Sequence, residues 1–558
     1  VHREATTVGT PTRRVGAVVV VVAVLVGVAL LVVARSHWFF ADDWTFLNRA
    51  HAGELNYWVR PYSGHWMAAT VAWFAVTKSV VGLGSYLPYV FPAVAAHVTT
   101  VVLLWRWQVR DGVPPVLAAT VVLPFLVLGV AWENVFFAVN VGFNLSLALA
   151  LGFGVLVDVD PVRRSGARLA AAAVLALGSV VTTTTGPLVV AAIGVALLLR
   201  RDRVGAVLGA GPALVVYGAW LVLAGGGGGL EGGAPGALAR YVWRLLASGA
   251  GRPLGLAAPW LAGVVLGGLV VVAAVRRRPA LRSTTVALAL AGVAFAAATA
   301  MARLTFGEST WLSPRYLYVV AACTLPLVGV ALARLVGSDR RLLGAVAAVL
   351  VVAAGVNAVD LWTAQREVAG IKQHLRTRHL AAAQLLADGL APVPINVDRY
   401  WSPNLHWTHL EDYVAAGQIA VPDEPVPDPW RLEARIELRS VLHGPQPFDR
   451  LTEPDLAGAD ADGCAMLGPG EATEVGLDGP AGLEFRFETP TIARLQTTTA
   501  SGRTTAIPRL LDLRTPSPRA WWVSLEEPVS MTLTVDDGAT VCVLDEAAAR
   551  VYDDTEPG

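Results

Sequence analysis

Charge is scarce in this chain of 558 residues: Asp, Glu, Lys and Arg together make up 15%, against about a quarter in ordinary soluble domains. The charge present is balanced, 43 Lys+Arg against 43 Asp+Glu, so there is no basic excess of the kind a nucleic-acid partner requires. There are only three cysteines, Cys323 inside an apolar run and Cys464 and Cys542 in the hydrophilic tail. No spacing of His, Cys and Asp matches a zinc site. No repeat of about 20 to 50 residues is evident, so the chain does not read as a solenoid.

What is abundant is apolar sequence, at 54% of residues with a mean hydropathy of +0.54. That balance places the chain among polytopic membrane proteins. Runs of about 20 apolar residues fall near 15–34, 86–105, 114–131, 137–157, 204–224, 256–275, 283–302, 315–336 and 342–360. Residues 168–199 hold two further runs split by Thr182-Thr183-Thr184-Thr185-Gly186-Pro187, which reads as two short helices meeting in a turn. The expectation is about eleven transmembrane helices. The first run resembles a signal peptide in its Val32-Val33-Ala34 end, but it exceeds the usual h-region of about 7 to 15 residues and is expected to be retained as an anchor.

Arg3, Arg13 and Arg14 precede that first run, which places residues 1–14 in the cytoplasm by the positive-inside rule. The stretch 66–84 is apolar but carries Lys78. Read as an interfacial helix on the outer surface, it leaves Arg106–Arg110, Arg163–Arg168, Arg200–Arg203, Arg276–Arg282 and Arg334–Arg341 all cytoplasmic. Read as a span, it would put Arg106 and Arg110 outside. The exterior then receives a large first loop, 35–85, the turn after Trp132, the Thr-rich turn, loop 225–255, the loop Arg303 to Pro314 and everything after Asp360. Loop 225–255 opens on a flexible Gly225–Gly229 linker and continues into Ala239–Leu246, whose mixed aromatic and cationic positions suit an interfacial helix.

Residues 15–362 thus form the membrane domain, and 363–394 a helical connector rich in Arg, Gln and His. Residues 395–558 read as an extracellular β-rich domain, because Glu484–Glu488 and Ser530–Val535 alternate with period two between turn residues. In an oxidising exterior, Cys464 and Cys542 are placed to form one disulfide.

Within the first exterior loop, Asp42 and Asp43 sit among Trp38, Phe39, Phe40, Trp44 and Phe46. An isolated surface acid is ordinarily just a solvated charge; an aromatic surround would raise the pKa of at least one acid and suit it to general-base work. Glu133, after Trp132 at the exterior end of a span, is either a solvated acid beside an interfacial Trp or a second acid handling a hydroxyl proton, a metal or a sugar hydroxyl. His65 is either an interfacial anchor beside Trp66 or a donor to a phosphate. Arg303 and Arg315 lie on the side where arginine is disfavoured, so they have either a lipid-snorkelling role or the bidentate phosphate-binding role for which guanidinium is suited.

An acidic pair after the first span, a large first exterior loop with interfacial helices, a second acid in a later exterior turn, a late exterior Arg and an exterior tail together resemble the GT-C glycosyltransferases. The resemblance covers about residues 15–360 and leaves the tail aside. It implies a polyprenyl-phosphate-linked sugar as donor, transfer at the extracytoplasmic face to a cell-envelope glycan or protein, and Asp42 as base on the acceptor hydroxyl with Asp43 as its partner. Glu133, Arg303, Arg315 and His65 fit less diagnostically, the last three as donor-phosphate ligands. The resemblance leaves the metal open, since some members use a divalent cation and others none. Three other readings stand beside it: a polysaccharide polymerase or ligase using an undecaprenyl-diphosphate donor, a transporter or flippase, and an envelope scaffold without activity. The first centres on a late exterior loop, whereas the acids here concentrate in the first. The second calls for charges deep within spans and an internal repeat.

Overall fold

The computed structural model describes residues 10–52, 55–158, 164–224, 234–276, 284–389, 396–398, 401–426, 455–456, 464–477, 484–487, 492–499, 504–506, 511–512, 529–535 and 539–544. The Gly225–Gly229 linker and most of the Arg276–Arg282 loop lie outside them. The chain is mostly helical and divides into two compact units, Val1–Phe39 with Phe46–Lys372, and Phe40–Thr45 with Gln373–Gly558.

Among the described residues, seven helices are long and apolar enough to cross a membrane: Pro11–Ala34, Leu87–Arg110, Ala138–Val157, Gly205–Leu223, Thr284–Phe306, Pro314–Val336 and Arg340–Ala387. A bent pair, Pro115–Leu126 and Gly129–Phe136, brings the total to eight if it counts as one span. Seven or eight of the expected eleven thus meet that length and composition among the described residues. Part of the difference is length: Gly166–Val180 and Thr185–Leu199 have 15 residues each, about 22 Å at 1.5 Å per residue, short of the roughly 30 Å hydrocarbon core. The helix over the 66–84 stretch, Ala68–Val81, has 14 residues, a length that suits lying along a surface.

The 54° bend falls where Pro124 sits inside the helix, removing an N–H and crowding the preceding turn. The chain re-enters helix through a 3-10 turn at Gly129–Ala131. Asn357 fixes the break: its Oδ1 accepts from Gly129 N–H at 3.0 Å, and its Nδ2 donates to Arg252 O at 3.1 Å and Ala353 O at 2.9 Å. Trp132–Phe136, carrying Glu133, thereby starts at a fixed angle.

Three of the five arginine-rich loops expected on one side of the membrane, 106–110, 163–168 and 200–203, meet in the structure. Arg110 Nη1 donates to Val155 O at 2.9 Å, Arg168 Nε to Leu156 O at 2.9 Å, Arg164 pairs with Asp202 at 2.5 Å and Arg200 with Asp158 at 2.5 Å. The last span and the segment expected as a helical connector are one continuous element. Arg340–Ala387 is one helix of 48 residues, about 72 Å long at 1.5 Å per residue, because no Pro or turn cluster interrupts it.

In the second unit, an antiparallel pair Asn396–Asp398 and Ser402–His406 leads into a helix, Trp407–Ala415, that the sequence reading did not anticipate. Its core holds a buried Arg378–Asp398 ion pair at 3.0 Å and a His379 Nε2 to Ser402 Oγ contact at 3.0 Å. Further strands form two antiparallel sheets. One runs Asp455–Leu456, Ala472–Leu477, Val529–Val535, Ile492–Thr499, Thr504–Ala506, with Leu511–Asp512 beside Ile492–Thr499; the other is Cys464–Leu467, Ala539–Leu544, Glu484–Phe487. Leu533 and Val535 are buried while Thr532 and Thr534 are partly exposed, the alternation of a strand with one covered face.

Candidate active site

Asp42 and Asp43 open the helix Asp42–Ala52, where carboxylates are favoured by the helix dipole. The two acids are not equivalent. Asp43 is fully buried, and its Oδ2 accepts from Phe40 N–H at 3.2 Å while its own N–H donates to Phe40 O at 3.0 Å, so the first-turn acid reaches back to a backbone N–H ahead of the helix, as the acid of a capping box does, with a backbone turn in place of the second side-chain bond. Asp42 is partly exposed and makes no hydrogen bond or ion pair among the described residues. Between Phe40 and Asp42 the chain passes through Ala41 at φ 46°, a left-handed conformation that costs a non-glycine residue about 1–2 kcal/mol. It is held within the second unit by Ala41 N–H donating to Trp401 O at 2.7 Å, by the Phe40–Trp401 ring contact at 5.6 Å, and by Asn404 Nδ2 donating to Thr45 Oγ1 at 2.7 Å.

The aromatic residues around the pair are turned into packing of their own. Phe39 meets Tyr86 and Tyr89, Phe46 meets Tyr62 and Phe74, and Trp44 meets His379 and Tyr413. They fix the chain on either side of the acids.

In the first unit the other four sequence-predicted residues gather. Glu133, buried, holds the start of the Pro314–Val336 helix: its Oε2 accepts the backbone N–H of Arg315 at 3.1 Å, and its Oε1 lies 3.1 Å from Arg315 Nε. Arg315 Nε also approaches Ser313 Oγ at 3.2 Å, and the guanidinium lies 5.7 Å from the Tyr316 ring centre. A carboxylate pairing both a guanidinium and a helix N-terminus is placed for anchoring the arginine more than for taking up a proton.

His65 reaches the same cluster from a two-residue hairpin. Tyr62 and His65 exchange backbone hydrogen bonds at 2.9 Å across Ser63 (φ 48°) and Gly64 (φ 79°), the positive-φ pair of a tight hairpin turn. His65 Nδ1 contacts Thr184 Oγ1 at 2.5 Å. Thr184 belongs to the Thr-rich turn, which closes only around glycine at 186, since a Cβ there would sit 2.2 Å from Ser179 O. Burial first, then the nearby charges of Arg303 and Arg315, lower the His65 pKa to about 3. The imidazole is therefore neutral near pH 7, with one N–H to donate.

Arg303, closing the Thr284–Arg303 helix, donates from Nη2 to Ser63 O at 3.3 Å and lies 5.7 Å from the Phe306 ring centre. Thr310 Oγ1 donates to Arg303 O at 3.2 Å and meets Tyr241 OH at 3.1 Å. Two guanidinium groups, a neutral imidazole, and threonine and tyrosine hydroxyls make a donor-rich cluster suited to an oxyanion. Among the described residues no three His, Cys, Asp or Glu side chains group for a metal ion.

Sequence reasoning missed Lys372, one of only two lysines in the chain. Fully buried, it donates to Phe136 O at 2.8 Å and Tyr86 OH at 3.1 Å, and its ammonium stands 4.3 Å from the Tyr86 ring centre. The same Tyr86 hydroxyl accepts from Ala138 N–H at 2.7 Å, so the lysine braces the segment after Glu133. Burial and Lys372 lower the pKa of neighbouring His37 to about 3. The signal available was the rarity of lysine in an arginine-rich chain.

No family model matches the chain, and no curated protein matches it. Among solved structures, ArnT from Cupriavidus metallidurans bound to undecaprenyl phosphate matches with a TM-score of 0.45 at 15% identity, over 72% of this chain and 84% of that one. The arabinosyltransferase EmbB from Mycobacterium smegmatis matches with a TM-score of 0.38 at 13% identity, over 97% of this chain and 65% of that one. At these identities and scores neither match assigns a role to any residue of this chain.

Proposed function

We propose that this chain is a multi-pass membrane glycosyltransferase of the GT-C type, moving a sugar from a polyprenyl-phosphate donor to an extracytoplasmic acceptor, a cell-envelope glycan or a protein. The observation that carries the reading is the division of labour in the acid pair: Asp43 is committed to the helix cap, and Asp42 keeps a partly exposed carboxylate without a partner among the described residues. A general base needs such a carboxylate next to a fixed backbone.

In the proposed reaction the acceptor oxygen attacks the anomeric carbon, its proton passes to Asp42, and the bond from that carbon to the phosphate oxygen breaks to release the lipid phosphate with inversion. The cluster of Arg303, Arg315 and His65 is the proposed phosphate site. Its guanidinium groups offset charge that develops on the leaving phosphate, and Glu133 orients Arg315.

The reading also holds that the amino terminus is cytoplasmic, that about eleven helices meet the membrane, and that 395–558 is a β-rich extracellular domain. The arginine loops that meet at one end motivate the orientation. Impermeant thiol labelling of cysteines introduced near Glu308 should succeed from outside and fail in the Arg276–Arg282 loop; the reverse pattern rejects the orientation.

The experiment for the function supplies purified protein in lipid with a panel of polyprenyl-phosphate sugars and envelope acceptors. The proposal expects transfer from one donor class, lost in Asp42→Asn. Transfer from a soluble nucleotide sugar alone, or from a polyprenyl diphosphate alone, would contradict it.

A further inference from the structure

Where the first helix ends, the residues after Val32 face one stripe of the Arg340–Ala387 helix across an open cavity of about 580 Å³. Trp362, Gln365, Arg366 and Ala369 line it from that helix, at the i, i+3, i+4, i+7 spacing of one face, and Arg35 and Ser36 line it from the other side. Arg35 and Arg366 are both exposed, and neither side chain has a hydrogen-bond or ion-pair partner among the described residues. Gln365, in contrast, is buried and interacts with His37, so the floor of the cavity is built while its two cations are uncommitted.

Apolar surface adjoins the cavity along both helices. Leu25, Val28 and Val32 on one, and Val352, Val356 and Val359 on the other, are largely exposed, as side chains that face acyl chains would be. Trp362 is 53% exposed at the upper edge of this band, the place an interfacial tryptophan takes at headgroup level. A single arginine at a helix end would be accounted for by snorkelling. Two, one just past the first helix and one on the Arg340–Ala387 helix, lining one cavity beside exposed apolar surface, match a phosphodiester with attached chains.

We propose that this groove binds the phosphate of an anionic bilayer glycerophospholipid, held between Arg35 and Arg366 with its acyl chains along the exposed valines. The site is separate from the cluster of Arg303, Arg315 and His65 and does not depend on the glycosyltransferase reading.

Native mass spectrometry of the full-length protein, released from detergent supplemented with phosphatidylglycerol or phosphatidylcholine, tests the proposal. The wild type should retain phosphatidylglycerol preferentially. Arg35→Gln/Arg366→Gln should reduce that retention about tenfold or more, the scale of losing charge-assisted hydrogen bonds, and Arg35→Lys/Arg366→Lys should restore part of it. Because both side chains lack partners, the variants should keep the wild-type elution profile and thermal midpoint. Arg303→Gln should leave phosphatidylglycerol retention as it was. Equal retention of the two lipids, or unchanged retention in the double Gln variant, would overturn the proposal. So would displacement of the lipid by inorganic phosphate at equal concentration. Displacement by a polyprenyl phosphate whose own binding is lost in the double variant would make the groove a donor-lipid site and equally reject a phospholipid.

Discussion

Replacing Arg378 with Met should open the region that holds the Asp42 turn. Arg378 and Asp398 lie 3.0 Å apart with side chains 2% and 1% exposed, so removal of the guanidinium strands a carboxylate away from water. Breaking such a pair costs about 3–5 kcal/mol. The consequence travels through two further contacts of the second unit: Asp398 Oδ1 accepts from Trp401 N–H at 2.8 Å, and Trp401 O accepts from Ala41 N–H at 2.7 Å, next to the acids. Hydrogen exchange of the Ala41 and Trp401 amides should accelerate by roughly 10² to 10⁴, since each 1.4 kcal/mol is a factor of ten. Arg378→Met/Asp398→Leu, which removes both charges, should recover most of the protection. Unchanged exchange in Arg378→Met would refute the reasoning, because the ion pair would then carry none of the turn's stability.

Other consequences follow from the first-unit cluster and the tail. Arg315→Lys keeps the charge and loses the Nε contact to Glu133, so donor affinity should fall by about tenfold; equal affinity in Arg315→Lys and Arg315→Ala compared with wild type would reject the phosphate role. The His65 pKa of about 3 lies below the ordinary 6.5. Between those values the unfolded chain binds the extra proton, so stability should fall as pH is lowered from 6.5 toward 3. Thermal unfolding against pH should be flatter in His65→Gln, with a residual slope from His37, whose pKa is lowered in the same direction; an identical slope would contradict the assignment. Cys464 and Cys542 stand directly opposite in an antiparallel register, where Cα atoms are about 4.5–5.5 Å apart, within disulfide range. Peptide mapping of non-reduced protein should find them linked, and two free thiols would count against the bond.

The membrane helices were legible because each is a local property: a run of apolar residues states its own length, and the runs at 86–105, 283–302 and 315–336 coincide with Leu87–Arg110, Thr284–Arg303 and Pro314–Val336. Period-two alternation likewise located Glu484–Phe487 and Val529–Val535. The helical connector was expected after the last span; that the two join without interruption as Arg340–Ala387 was not stated by composition, which changes from apolar to polar near Asp360 while nothing in the stretch breaks a helix. The bend after Pro124 was hidden for the opposite reason: hydropathy continues through a break in hydrogen bonding.

For the candidate site, residue type and side of the membrane singled out Glu133, Arg303, Arg315 and His65 one by one. Their grouping depends on contacts spanning 182 residues for Glu133 with Arg315 and 240 for Arg303 with Ser63, which no local pattern encodes. The inequality of Asp42 and Asp43 was equally invisible, because it rests on which carboxylate turns back to Phe40 N–H.

The most direct test of the account compares turnover and donor binding in Asp42→Asn and Asp43→Asn, each in purified protein of wild-type stability with a polyprenyl-phosphate sugar. Loss of a positioned general base should lower turnover in Asp42→Asn by roughly 10² to 10⁴ while donor affinity stays near wild type. Asp43→Asn, whose carboxylate caps the helix, should lose less turnover and more stability. Near-normal turnover in Asp42→Asn would contradict the claim that Asp42 takes the acceptor's proton.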